Sequence, residues 1–138
     1  MGKLQKMLEA RKLLKECGEY DTAIAGAIAE VYAEEVLSME KAPRGARGYD
    51  GFIDGRRVQV KGKERLRSNE SASYVAISLN SVGLAEDLLV VYFDHDDQLR
   101  HIGPVEIDLI ANSKPNARET RYSVRNIRAA WELSRRSI

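Results

Sequence analysis

The chain has 138 residues, the length of one domain, and 43% of them are apolar, enough for a core, which sets disorder aside. Charged residues make up 31%, yet the net charge is +1, so the overall balance favours neither a nucleic-acid nor a membrane partner. A single cysteine, Cys17, excludes an intrachain disulfide and a cysteine-based zinc site.

The first residues open a charged amphipathic pattern with no signal-peptide core, and the longest apolar run is far too short for a membrane span. The expected setting is the cytoplasm, with no membrane partner. Leu4, Met7, Leu8 and Leu14, with Leu13 less regularly, predict a helix over 3–16 that Cys17-Gly18 closes. Asp21 is a favoured N-cap for a second helix reaching Leu37 or Ser38. That helix is alanine-rich and apolar around most of its circumference, which predicts deep packing against a sheet. A loop over 41–48 follows, dense in breakers and positive charge.

Residues 49–53 and 56–61 alternate like strands around Asp54-Gly55, a two-residue hairpin signal. Polar residues 63–72 lead to two further strands at 74–79 and 88–93, the second a continuous apolar run suited to a buried position. A turn at His95-Asp96-Asp97 precedes a short strand over 99–102, and Pro104 predicts the start of a short helix through Ile110. After a polar linker, Ser123 caps a last helix with Val124, Ile127 and Trp131 on its apolar side. This order predicts one α/β domain of mixed α+β character over 1–138.

Charge is unevenly spread. Residues 41–67 hold nine basic and three acidic residues, a net +6, while the remainder carries −5. Such a segment suits an anion-binding face, and it also suits a solvated loop. Within it, Gln59 and Lys61 stand two apart on one strand and so project from one face, while Val58 and Val60 point to the core. Asp50, on the hairpin's other arm, adds an acid. An acid, an amide oxygen and an ammonium group at one end of a hairpin make a site for a hard cation and a phosphate.

The run from Gly48-Tyr49-Asp50-Gly51 to Val58-Gln59-Val60-Lys61 resembles the PD-(D/E)xK nuclease superfamily, and its Gln form is similar to the Mrr-type restriction endonucleases. The resemblance covers roughly residues 23–63. It implies a restriction-endonuclease-like core, a central mixed β-sheet flanked by helices. It also implies a metal-dependent DNA endonuclease working in restriction, phage defence or repair. Asp50, Gln59 and Glu30 would hold Mg²⁺ or Mn²⁺, and Lys61 would assist the attacking water. Glu30 comes from the preceding helix, on a stripe with Gly26, Ala27, Ala33 and Glu34, and Glu34 is the reserve ligand.

Arg44, Arg47, Arg57, Lys63, Arg65 and Arg67 are the expected nucleic-acid contacts, with Arg125 and Arg128 of the last helix as additions. A homodimer and a partner-supplied specificity subunit also follow from the resemblance. Gln59 brings no charge, which suits a catalytically inactive nucleic-acid-binding module as well. A protein-interaction subunit using the hairpin face is the third class. Tyr49 and Trp131 read as packing residues, and His95 and His101 have no acidic partner at ligand spacing.

Overall fold

Apolar spacing and a glycine stop shape the first element: helix α1 spans Lys3–Glu16, and Gly18 follows with φ +75°. The computed structural model describes residues 2–66, 70, 73–112, 114, 115 and 118–136. Helix α2 covers Ile24–Val36. Asp21 does not cap it. The Asp21 carboxylate accepts from Ala23 N at 2.9 Å inside a separate turn, and the helix starts two residues later than that cap predicts.

Strands β1 (Glu40–Lys41), β2 (Gly51–Ile53), β3 (Arg56–Lys63), β5 (Asp87–Phe93) and β6 (Leu99–Glu106) form a mixed sheet in the order β1-β2-β3-β5-β6. All neighbours are antiparallel except β3 and β5, which run parallel. Strands β4 (Tyr74–Ser78), β7 (Lys114–Pro115) and β8 (Glu119–Ser123) form a second sheet, ordered β4-β8-β7. Helix α3 (Val124–Arg136) ends the described chain, and the Ser123 hydroxyl accepts from Asn126 N at 3.1 Å, the expected cap. The architecture is mixed α+β, with helices on both faces of the five-stranded sheet.

Two expectations are corrected. Pro104 does not start a helix: it lies in β6, an edge strand, beside an irregularity in the β5–β6 register. A proline without an N–H is tolerated there because the ladder asks nothing of it. The stretch read as a linker before Ser123 contains β7 and β8. In β8, Thr120 and Tyr122 are buried and Arg121 is exposed, so a strand alternation was present under a polar composition.

The main sheet is covered on both sides. On one face Val58, Val60, Leu89 and Val91 pack with Ala29, Tyr32 and Ala33 of α2. On the other, Leu88, Val90 and Ile102 pack with Val75, Ile77, Tyr122, Val124 and Ile127. β5 is therefore buried on both faces, as its continuous apolar run predicts. No helix among the described residues is long and apolar enough to cross a membrane.

Candidate active site

The hairpin that carries the site closes at Asp54-Gly55, whose φ values of 52° and 77° are the positive pair a tight two-residue turn demands. Its ladder is short. β2 pairs with β3 only at Arg56, Arg57 and Val58, so from Gln59 onward that edge of β3 has no β2 partner. Asp50 occupies the gap. Its backbone N donates to Val58 O at 2.8 Å, and its carboxylate accepts from Val60 N at 2.7 Å. The carboxylate thus takes over the role of the missing strand between Gln59 and Lys61.

Helix α2 brings the second acid to this edge. Its backbone crosses β3 at Gly62, where an added Cβ would lie 2.4 Å from Ala25 O, so only glycine allows the approach. One turn along the helix, Glu30 reaches the same edge, where it lines one cavity with Asp50. Burial pushes the Glu30 carboxyl up to about 7, and the nearby Asp50 carboxyl adds to this. Lys41 pulls the other way, while Glu34 adds further repulsion. An open cavity of 190 Å³ lies over the pair, lined among others by Glu30, Glu34, Lys41, Arg44, Tyr49 and Asp50.

The expected small-residue stripe is only partly what faces the sheet. Ala33 is buried, but Gly26 and Ala27 are exposed, and the packed face is Ala25, Ile28, Ala29, Tyr32 and Ala33. Glu30 sits on the border of that face, half-buried, which is where a carboxylate can be both desolvated and reachable.

Gln59 and Lys61 leave β3 from the face opposite α2, since Val58, Val60 and Gly62 all point to the helix. The Gln59 side-chain oxygen is buried and has no hydrogen-bond partner among the described residues. A buried acceptor without a donor calls for a cation, a water or a donor beyond the described residues. Lys61 makes no ion pair among the described residues; Lys63, on the same face, is half-buried, and burial and the Lys61 charge hold its ammonium below the lysine range. The structure therefore brings Glu30 and Asp50 to one cavity and ties Asp50 to the backbone between Gln59 and Lys61. It does not pair Lys61 with either carboxylate.

The basic segment divides into two groups. Arg44, Arg47 and Arg65 are exposed and enter no ion pair among the described residues, whereas Arg56 binds Asp87 at 2.9 Å and Arg57 lies 3.5 Å from Glu86. Arg57 is thus partly committed at the turn end of the hairpin, and Arg67 lies outside the described residues. Arg128 is bound to Glu70 at 2.7 Å. Tyr49 packs edge-on to Phe52, as a packing residue should. His101 shares a 2.7 Å hydrogen bond with the Tyr32 hydroxyl, and His95 is exposed.

The sequence reading missed Lys41 as a partner of the acids. Its signal was local: Lys41 pairs with Gly51, next to Asp50, only because the loop folds back as β1. No protein-family model matches the chain, and no curated protein matches it.

Proposed function

We propose that the chain is a metal-dependent phosphodiesterase acting on DNA, of the PD-(D/E)xK type, with Glu30, Asp50, Gln59 and Lys61 as its site. The observation that carries this reading is the Glu30–Asp50 pair, two carboxyl groups that a helix and a hairpin bring to the lining of one cavity. Such a pair is unfavourable when both groups are charged, and a divalent cation relieves it.

The residues fit Mg²⁺ or Mn²⁺. Among the described residues no group of three or more His, Cys, Asp or Glu is placed to hold a metal. Two carboxylates suit an ion that keeps several waters and needs few protein ligands, while the Gln59 oxygen lies on the face of β3 turned away from α2 and Glu30. When bound, the ion would supply an activated water and neutralise charge on the phosphate. The chain's own residues do the rest. Val60 N fixes the Asp50 carboxylate, Glu30 gives up its proton to serve as a ligand, and the Lys61 ammonium donates to phosphate oxygens as charge develops there. Exposed Arg44, Arg47 and Arg65 would hold the nucleic-acid backbone. A homodimer would supply one site for each strand of a duplex.

The test is Mg²⁺- and Mn²⁺-dependent cleavage of plasmid, linear, single-stranded and junction DNA. Asp50→Ala and Lys61→Ala are each expected to lower the rate by about a hundredfold or more. Cleavage that survives both substitutions rules the site out. A second reading, a nucleic-acid-binding module without catalysis, is favoured by the neutral Gln59 and by Lys61 leaving β3 from the far face. It predicts DNA binding that needs no metal and falls steeply with salt.

A further inference from the structure

Lys61 and Lys63 stand on the face of β3 turned toward the second sheet and α3, in register with Val90 and Tyr92 of β5. Their near carboxylates are committed elsewhere. Glu64 binds Arg11 and Tyr20, and Glu70 is held by Arg128. Arg128 also donates to the Tyr92 hydroxyl at 3.3 Å, which sets a third cation on this face with its charge already matched by Glu70. Two lysines are left without a counter-ion among the described residues, and one of them, Lys63, is half-buried. Half-burial of an ammonium beside a like charge costs free energy that an anion would recover.

We propose that the Lys61–Lys63 pair binds a dianionic phosphate, namely the terminal phosphate monoester of a nucleic-acid strand. An internal phosphodiester carries one negative charge and leaves one lysine uncompensated. A terminal monoester carries about −1.5 to −2 at pH 7 and three acceptor oxygens, enough for both ammonium groups. The inference rests on the second reading given above, nucleic-acid binding without catalysis, and deepens it, because a Lys61 ammonium held by a terminal phosphate is not free to serve a scissile one. The half-burial of Lys63 supports the same choice, since its ammonium stands below the usual lysine range until an anion arrives.

The experiment measures binding of a labelled short duplex in EDTA, where no cleavage occurs. The duplex carries a 5′-phosphate, a 3′-phosphate or only hydroxyl ends, and adenosine 5′-monophosphate serves as competitor. Wild type is expected to prefer a phosphorylated end about tenfold, the value of one added charge-assisted contact. Lys63→Ala should lose the preference and Lys63→Arg should keep it, which separates loss of charge from loss of folding. Equal binding of phosphorylated and hydroxyl ends, or a preference that survives Lys63→Ala, overturns the proposal while leaving the nuclease reading intact. Failure of wild type to bind any duplex overturns this proposal and the binding-module reading, while Mg²⁺-dependent cleavage judges the nuclease reading separately, and Lys63-dependent binding of the mononucleotide alone would then mean that nucleic acid is the wrong source of the phosphate.

Discussion

Glu30 shows how one residue's environment sets a measurable property. Its carboxyl is raised from the ordinary value of 4.5 to about 7, first by burial and then by Asp50. A raised acid binds a proton in the folded state that the unfolded chain has released. The stability it contributes is therefore full below pH 4.5 and is lost as pH rises to about 7. Glu30→Gln keeps the shape and removes the titration. It should leave the unfolding free energy nearly unchanged at pH 4 and raise it at pH 8 by about 1–2 kcal/mol once solvent screening is allowed for. A thermal denaturation series across that range checks this, and equal shifts at both ends would show that the raised value is wrong. The place of Asp50 against the backbone of β3, next to Lys61, was legible in the sequence because it is local, set by a hairpin. The meeting of Glu30 with Asp50 was expected only through the family resemblance, since no local pattern says where a helix crosses a sheet.

That crossing belongs to the scale of elements. α2 lies on β3 at Gly62, where a methyl group would meet Ala25 O at 2.4 Å, a backbone atom that cannot step aside alone. Gly62→Ala should lift α2 off the strand, cost about 2–3 kcal/mol and weaken metal binding by separating Glu30 from Asp50. Urea denaturation and Mn²⁺ binding measure the two effects, and an unchanged Mn²⁺ affinity would detach the helix from the site. The elements that were legible in sequence share a strong period or an unbroken apolar run: α1, both arms of the hairpin, β5 and α3. β8 was hidden because, of its buried residues Thr120, Tyr122 and Ser123, only Tyr122 is apolar. β6 was cut short because Pro104 has two uses, the first turn of a helix and the irregular position of an edge strand, and nothing nearby in sequence chooses between them. The assignment of β4 to a second sheet was likewise invisible, because strand periodicity says which face is buried and not which neighbour supplies the hydrogen bonds.

At the scale of the whole molecule, α1 is held by a polar anchor that no apolar pattern announces. Arg11 is buried at 4% exposure, its guanidinium 3.6 Å over the Phe93 ring, and it binds both Glu64 and Asp97. Those two acids follow β3 and β5, so one side chain joins the first helix to the ends of the two central strands. Arg11→Ala should cost about 2–3 kcal/mol, because it empties the space over the Phe93 ring and takes the nearest cation from the mostly buried Glu64, while exposed Asp97 returns to water. Arg11→Lys should recover little, since an ammonium cannot reproduce the forked contact. Equilibrium unfolding of the two variants tests this, and near-wild-type stability of Arg11→Ala would mean the anchor is idle.

The parallel pairing of β3 with β5 has a consequence in time. Every proposed site residue lies before Glu64, but β5, the strand that braces β3 along Val58 to Lys63, begins only at Asp87. During synthesis the acids, the amide and the lysines thus leave the ribosome well before the strand that aligns them, and a long crossover must close first. Until the residues from Asp87 onward have emerged, the strand that carries Gln59, Lys61 and Lys63 lacks its parallel neighbour, so the proposed site stays unbraced on that side.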